Sequence, residues 1–107
     1  MIRPYLDSDL EDVLFLLELN TPKYFHVAEK EDLRKYLLNE KEEYFVVELN
    51  GENVAAGGIN YSIDSRYTAR ISWDVVAPKM QGKGIGKDLL THRINQIKSS
   101  ERYSKII

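Results

Sequence analysis

The sequence predicts an α/β fold of the α+β kind, in which a mixed, mainly antiparallel sheet is flanked by helices. Three observations support this. Amphipathic helical patterns alternate with short β-branched and aromatic runs, an Asn-Gly pair separates two of these runs, and a glycine-rich loop lies between a strand and a helix. The predicted order of elements is β-α-α-β-β-β-α-β. At 107 residues the chain has the length of a single domain, residues 1–107.

The N-terminal region predicts a short strand followed by two helices. The strand covers Ile2–Leu6, and Pro4 marks a sheet edge or the strand's end. Ser8 and Glu11 have the spacing of a capping box at a helix start. The apolar residues that follow at i, i+3, i+4 and i+7 are Leu10, Val13, Leu14 and Leu17. A loop over residues 20–26 leads to a second helix, over residues 30–39, whose apolar face is Leu33, Tyr36 and Leu37.

Three longer strands are predicted next, joined by two turns. The strands cover Tyr44–Leu49, residues 53–63 and residues 68–76, and the turns are Asn50-Gly51 and Asp64-Ser65-Arg66. The small residues of Ala55–Gly58 predict a bulge or a close backbone approach within the second of these strands. A final strand is predicted to start near Tyr103.

The stretch between the third long strand and the last helix has the chemistry of an anion site. Gln81–Gly86 holds three glycines, and apolar residues at helical spacing follow it. A helix N-terminus has N–H groups without intrahelical partners and a partial positive charge, and glycines let an anion approach the backbone. Lys83 and Lys87 add formal positive charge beside it.

Two common phosphate-loop patterns do not fit this stretch. The P-loop pattern needs Ser or Thr after Gly-Lys and a glycine five positions before it, but these positions hold Asp88 and Gln81. The Rossmann fingerprint Gly-x-Gly-x-x-Gly needs a small residue at position 87, which is a lysine. A nucleotide-binding fragment of another α/β fold is therefore disfavoured. The Asn-Gly hairpin disfavours it too, because doubly wound sheets are mainly parallel.

A third pattern, Gln/Arg-x-x-Gly-x-Gly/Ala, fits at Gln81, Gly84 and Gly86. With Val76-x-Pro78 before it and Leu89-Leu90 after it, the run resembles the acetyl-CoA-binding motif of the GNAT (GCN5-related) N-acetyltransferases. The resemblance implies acetyl-CoA as cosubstrate and direct attack of a primary amine, of a small molecule or a peptide, on the thioester. The cofactor-binding positions that it implies are Asp74, Val75, Val76, Gln81, Gly82, Lys83, Gly84, Ile85, Gly86 and Lys87.

The base that removes the proton of the amine is not fixed by the motif. Asp74 is the sharpest candidate, because it interrupts an apolar strand beside the expected thioester position, although it could equally be a solvated or hydrogen-bonded carboxylate. Glu48 and His26 are weaker candidates. The family's equivalent of the 20–26 loop often forms a wall of the acceptor pocket, and its aromatics favour that role here over core cover. Trp73 is expected in the core or the acyl pocket, and His92 at the surface.

The resemblance covers the N-terminal two thirds or so of a GNAT domain. Many members have a later helix with a tyrosine that acts as the general acid, and this helix has no counterpart here. The last strands of the family's sheet have none either. Tyr103 comes too early in the chain to be that general acid. A sheet without its closing strands has an edge strand with unpaired backbone groups, which can pair with another chain. The sequence thus predicts either a homodimer or a truncated, weakly stable product of a longer gene. The alternative function is a non-catalytic CoA-binding or dimerisation module.

Composition limits the other function classes. The formal net charge of −2 gives no basic face for nucleic acid, and there are no cysteines for disulfides, thiolate metal sites or nucleophilic catalysis. His26 and His92 form no metal-binding pattern. No signal peptide and no apolar run of membrane-spanning length occurs in the sequence. We therefore expect a cytoplasmic protein with no metal and no membrane partner.

Overall fold

The computed structural model describes residues 1–61, 68–100 and 105–107. Within these ranges the strands form one sheet in sequence order. The elements are β1 (Ile2–Pro4), α1 (Leu10–Leu19), α2 (Glu29–Lys35), β2 (Glu43–Leu49), β3 (Glu52–Tyr61), β4 (Thr68–Val76), α3 (Ile85–Ser100) and β5 (Lys105–Ile106). Strands β1 to β4 pair antiparallel, and β5 runs parallel to β4. The predicted element order and the mainly antiparallel sheet are confirmed.

The two faces of the sheet are covered by different helices, because each helix buries one apolar stripe. One core packs α1 and α2 against the sheet around Leu14, Leu17, Leu33 and Val46. The other core packs α3 around Ile59, Leu89 and Ile97. The predicted apolar faces of α1 and of the second helix are confirmed, since Val13, Leu33 and Leu37 are buried.

The start of α1 differs from the prediction. A 3₁₀ turn over Asp7–Asp9 precedes the helix, and the N-cap residue is Asp9, with no side-chain capping bond. The capping box predicted at Ser8 is therefore wrong. The Asp9 carboxylate instead accepts from the N–H of Leu6 at 2.8 Å and from Arg3, so the chain turns back towards β1 before the helix begins.

The turns between the strands follow the sequence signals. Asn50 and Gly51 have positive φ values of 53° and 78°, the pair that a type I′ hairpin turn requires. The second helix ends in a π-helical turn over Tyr36–Glu40. The predicted turn at Asp64–Arg66 and the start near Tyr103 lie outside the described residues. Within the part of the chain that the structure describes, no helix has the length and apolar character needed to cross a bilayer.

The small residues of β3 lie opposite a register shift against β4, but the extra residue belongs to β4. The bulge is therefore in β4, whereas β3 shows the predicted alternative, a close approach, at Gly57. Ala56 pairs with Val75 and Gly58 pairs with Ser72, so two residues of β4 lie opposite the single residue Gly57. These two residues are Trp73 and Asp74. A bulge of this kind bends the strand and redirects its side chains, often beside an active site.

Candidate functional site

The glycine loop connects a 3₁₀ turn at Pro78–Met80 to the N-terminus of α3. Gly82 and Gly84 have φ values of 79° and 84°, a left-handed conformation that L side chains rarely adopt. A Cβ added at either position would meet no atom within 4 Å. Glycine is thus required by the backbone conformation, and the space in front of the loop is open to a ligand.

The loop presents the N-terminus of a long helix to that space. The N–H of Asp88 makes a bond typical of a first helical turn, to the carbonyl of Gly84 at 2.9 Å. The N–H groups of Ile85, Gly86 and Lys87 precede that bond and sit at the positive end of the helix dipole. Lys83 and Lys87 are both exposed beside it. The arrangement suits a phosphate or pyrophosphate group.

The outer edge of β4 leads directly into this loop. The Ala77 N–H donates to the carbonyl of Val54 at 2.8 Å, on the β3 side. Because strand groups alternate in direction, the N–H and C=O of Val76 point to the opposite edge. Strand β5 pairs with β4 only at Thr68 and Ala69, and Ile107 reaches no further than Ile71. From Ser72 to Val76 no strand among the described residues pairs with this edge.

Two amide side chains fix the junction between β4 and the loop. Asn20, at the end of α1, donates from Nδ2 to the carbonyls of Leu16 at 2.8 Å and Val76 at 3.0 Å. Gln81 donates from Nε2 to Oδ1 of Asn20 at 2.9 Å and to the Val76 carbonyl at 3.2 Å. Asn20 is 3% exposed, so its side chain is a buried link between α1, β4 and the glycine loop.

A cavity of about 370 Å³ lies along this edge. The lining residues are Asn20, Tyr24, Phe25, Asp74, Val75, Val76 and Gln81. The structure thus brings four of the motif-derived positions together with both aromatics of the loop over residues 20–26. Phe25 also packs against the core, whereas Tyr24 is exposed. Core cover is thus confirmed for Phe25, and the role of the loop as a wall of the acceptor pocket stays a prediction.

The bulge in β4 gives two neighbouring side chains different surroundings. Trp73 has a φ of 47°, an uncommon value for a residue with a bulky side chain. Its ring lies 6.2 Å from that of Tyr36, on the α1 and α2 face of the sheet. Its carbonyl accepts from the hydroxyl of Tyr44 at 2.8 Å. The expected position of Trp73 against the core is confirmed.

Asp74 turns towards α3 and pairs with Arg93. The two guanidinium nitrogens Nη1 and Nη2 donate to Oδ1 at 2.5 Å and to Oδ2 at 2.7 Å. Arg93 is fully buried, whereas the Asp74 side chain is 46% exposed. Sequence analysis missed Arg93, although one signal was present. Leu89, Arg93 and Ile97 follow at i, i+4 and i+8, which places the arginine on the buried stripe of α3.

The weaker base candidates lie elsewhere in the fold. Glu48 accepts from Nε of Arg3 at 2.9 Å, near β1. His26 is exposed, and its Nδ1 accepts from the N–H of Ala28 at 3.1 Å. His92, predicted at the surface, is half-buried, with its ring edge-on to Phe45 at 4.9 Å. None of these three side chains lines the cavity beside the glycine loop.

Two further cavities flank the site. One, of about 420 Å³, follows β4 towards its start and is lined by Tyr36, Glu40, Asn60, Arg70, Ile71, Ser72 and Trp73. Another, of about 620 Å³, lies between α1 and the β2–β3 turn. Although larger, this second cavity suits a phosphate poorly, because Asp12 and Glu52 line it and its Lys79 is paired with Glu52 at 2.7 Å.

The tyrosines beneath the bulge keep their protons. Burial raises the pKa of Tyr36 to about 12, with Glu42 and Glu40 adding to the rise. Burial also raises the pKa of Tyr44 well above its usual value. Both hydroxyls are therefore donors near neutral pH: that of Tyr36 donates to Oδ1 of Asn60 at 2.5 Å and that of Tyr44 to the Trp73 carbonyl.

Comparisons with solved structures define the fold as that of acetyltransferases. A GNAT family acetyltransferase from Brucella melitensis, in complex with acetyl-CoA, superposes with a TM-score of 0.78 at 17% identity, over 94% of this chain and 69% of that one. A ribosomal-protein-alanine N-acetyltransferase from the same organism gives 0.74 at 20% identity, over 95% and 69%. N-acetylglutamate synthase from Neisseria gonorrhoeae, with coenzyme A and N-acetyl-glutamate, gives 0.74 at 22% identity, over 92% and 22%. At these identities the likeness establishes the fold.

The sequence itself places the chain in the family. The model of the acetyltransferase (GNAT) family matches residues 10–107, so the chain belongs to the GNAT family. The match begins at the first residue of α1 and includes the glycine loop. No curated protein sequence matches the chain. The family membership inferred from Gln81, Gly84 and Gly86 is thus confirmed, whereas the roles of single residues stay predictions.

Proposed function

We propose that this chain is an acetyl-CoA-dependent N-acetyltransferase that acts on a primary amine of a small molecule or peptide. One observation carries the proposal: the glycine loop at the N-terminus of α3 continues directly into the edge of β4 from Ser72 to Val76, with which no strand among the described residues pairs. The loop offers an anion site, and the edge offers backbone groups in line with it. The anion site and the strand edge together match a ligand that has a pyrophosphate at one end and an amide-containing arm at the other.

The residues present fit acetyl-CoA at both ends. The N–H groups from Gly82 to Lys87 would hold the pyrophosphate, with Lys83 and Lys87 adding charge. The outward N–H of Val76 would bond the arm along β4. Acetyl-CoA would supply an activated acetyl group: the amine nitrogen bonds to the acetyl carbon, the carbon–sulfur bond breaks and coenzyme A leaves as a thiolate. The proton that the amine loses balances the one that the thiolate gains. Backbone N–H donors near the bulge are the expected source of electrostatic stabilisation.

The acceptor amine, in this proposal, enters from the cavity at the other end of the bulge. That cavity and the one beside the glycine loop follow one another along β4, and the side chains of Trp73 and Asp74 line one each. Glu40 in the acceptor cavity can attract an ammonium group, and the aromatic rings of Tyr36 and Trp73 can contact its carbon skeleton. Deprotonation of the amine, directly or through water, is still needed.

The proposal is tested by calorimetric titration of the chain with acetyl-CoA, followed by an acceptor panel of amines. Gly84→Glu is the test variant, because it places a negative charge in the anion site. We expect the variant to lose acetyl-CoA binding, by about 100-fold or more in Kd. A Gly84→Glu protein that binds acetyl-CoA with the affinity of the original chain would contradict the assignment of the loop.

The matched control for this variant is Gly51→Glu. Gly51 also has a positive φ, 78° against 84° for Gly84, and an added Cβ there also meets no atom within 4 Å. The two variants therefore introduce the same charge and similar backbone strain, but Gly51 lies in the β2–β3 turn. We expect Gly51→Glu to lower stability and to leave acetyl-CoA affinity within about twofold.

The titration also decides between the proposal and the alternative of a non-catalytic CoA-binding or dimerisation module. Binding with transfer to an amine in the panel supports the enzyme. Binding of acetyl-CoA with no transfer to any amine supports the module. The mass in solution, measured alongside, tests whether the chain is a homodimer.

A further inference from the structure

We infer that Arg93 is a positioning residue, which acts through Asp74 to hold the bulge of β4 in the conformation that acetyl-CoA binding requires. The inference rests on the proposed function. It also assigns Asp74 a role different from that of the predicted base: its carboxylate anchors the strand and does not accept the proton of the amine. The reasons lie in the contacts of Arg93, in the lack of space at Gly57, and in the bonds on the other face of the sheet.

Arg93 joins three parts of the fold from one buried position. Its Nε donates to the Leu89 carbonyl at 3.3 Å within α3. Its Nη1 donates to the carbonyl of Gly58 at 3.1 Å, in β3 next to the bulge. The same nitrogen and Nη2 donate to the two oxygens of Asp74. The guanidinium group thus connects α3 to both strands at the point where their register shifts.

The bidentate pair needs geometry that few other residues provide. A buried charge is stable only when it is paired and its donors are satisfied, and a planar guanidinium matches a carboxylate with two parallel bonds. A lysine at this position would keep the charge, but its single nitrogen could not make two parallel bonds to Asp74 and also donate to the Gly58 carbonyl. The pairing therefore specifies arginine.

The surroundings of Gly57 are built around this pair. A Cβ at Gly57 would lie 2.7 Å from Oδ1 of Asp74 and 2.8 Å from Nη1 of Arg93. Real Cβ contacts are not that short, so any larger residue would displace the pair. The glycine is explained by the guanidinium and carboxylate groups, since its own φ is not in the left-handed region.

The opposite face of the sheet fixes the same bulge by different bonds. The hydroxyl of Tyr44 holds the carbonyl of Trp73, and the Trp73 ring packs against Tyr36. Trp73 and Asp74 are therefore held from opposite faces, one by tyrosines and one by arginine. Val75 and Val76 follow immediately, so the direction of their backbone groups depends on how the bulge is held.

Trp73 provides a direct measurement, because it is the single tryptophan of the chain. The test compares Arg93→Met, Arg93→Lys and Asp74→Asn with the original chain, by Trp73 emission without ligand and by titration with acetyl-CoA. We expect all three variants to shift the emission maximum and to weaken acetyl-CoA binding by about tenfold or more. Arg93→Lys and Asp74→Asn are milder changes that keep the test informative if Arg93→Met does not fold.

The matched control is Arg3→Met. Arg3 also makes a bidentate pair with a largely buried aspartate, Asp9, but at the β1 end of the sheet. We expect this variant to lose stability while keeping the Trp73 emission maximum and keeping acetyl-CoA affinity within about twofold. Folded Arg93 variants that behave like Arg3→Met would overturn the inference.

The outcomes separate this inference from the proposed function. If the original chain does not bind acetyl-CoA, the proposed function fails. In that case an unchanged Trp73 emission maximum in the unliganded variants also overturns the positioning role. A shifted maximum supports the inference that Arg93 and Asp74 hold the bulge in its conformation.

The pH profile separates anchoring from base catalysis at Asp74. With an amine that the panel identifies as an acceptor, the acidic limb of the kcat profile should persist in Asp74→Asn if the carboxylate anchors the strand. Loss of that limb would show that Asp74 is the base and overturn its anchoring role.

Discussion

At the scale of single residues, Gly57 is a position where two neighbouring side chains leave no room for a Cβ. The position lies in the interior of β3, where glycine ordinarily weakens a strand. Here the space that a side chain would need is occupied by Oδ1 of Asp74 and Nη1 of Arg93, at 2.7 and 2.8 Å from an added Cβ. Glycine stabilises a strand less than other residues do, but at this position it leaves room for the ion pair between Asp74 and the buried Arg93.

We expect Gly57→Ala to destabilise the protein by about 1–3 kcal/mol, because the added methyl group overpacks a filled site. Urea unfolding of the purified variant measures this. The same change in an Arg93→Ala background should cost less, since the nearest guanidinium atoms are gone. Equal effects in the two backgrounds would show that the guanidinium does not restrict this position.

At the scale of elements, Asn20 and Gln81 join parts of the chain that are distant in sequence. Asn20 ends α1, and its side chain bonds the last carbonyl of β4 and the first side chain of the glycine loop. The carbonyl of the same residue accepts from the N–H of Tyr24 at 2.8 Å. The side chain and backbone of Asn20 thus fix the position of the loop that contains Tyr24 and Phe25 relative to the loop that we propose for the pyrophosphate.

We expect Asn20→Leu to lower stability by about 1–3 kcal/mol, because the Val76 carbonyl and the Gln81 amide lose a buried partner. Acetyl-CoA affinity should fall with it, by about tenfold. Thermal unfolding and calorimetric titration measure the two effects. Thr21→Val is the control: it removes a bond from the next residue to the Leu17 carbonyl at 2.9 Å, within α1 alone. If Thr21→Val weakened acetyl-CoA binding equally, the link through Asn20 would not be the cause.

The elements that were predicted correctly are those whose signal is local. The apolar spacing of α1, the Asn50-Gly51 turn and the strand–loop–helix order around Gly84 depend on neighbours in sequence. The start of α1 was missed because Asp9 is held by Arg3 from β1, a contact that no local pattern shows. Arg93 was missed for the same reason, since it lies in α3 and its partners Asp74 and Gly58 lie in β4 and β3.

At the scale of the whole molecule, the ends of the sheet are held by a second charged network. Arg3 in β1 bonds Asp9 before α1 and Glu48 in β2, and Asn53 in β3 donates to Asp9 at 3.1 Å. The hydrogen bonds from Arg3 lower the pKa of Asp9 from 3.8 to about 2 against the opposing effect of burial. The side chain of Asp9 is only 7% exposed, so this pairing is shielded from solvent.

This network predicts a loss of stability in acid. A carboxyl group with a lowered pKa in the folded state stabilises the protein above its unfolded pKa and loses that effect as the pH falls through its folded pKa. We expect a loss of about 2 kcal/mol from Asp9 between about pH 5 and pH 2. Urea unfolding across this range measures it. In Asp9→Asn that part of the slope should disappear, and an unchanged acid profile would contradict the assignment.

The fold class followed from the sequence because the motif and the element order agree, and the same agreement placed the candidate site. The contacts of the side chains within the candidate site could not be predicted as fully. Asp74 was identified as unusual in an apolar strand, but its partner could be found only after α3 was placed against the sheet. Trp73 shows the same limit, since its positive φ occurs at a register shift between two strands, which no local pattern indicates.

The packing of Gly57 against Asp74 and Arg93 has a consequence for how such sequences diverge. A lineage that replaced the arginine would leave a carboxylate without its partner and would free the space that now excludes side chains from position 57. A lineage that enlarged position 57 first would lose the ion pair. We therefore expect these three positions to change together among relatives of this chain, as a single inherited unit spread over two strands and a helix.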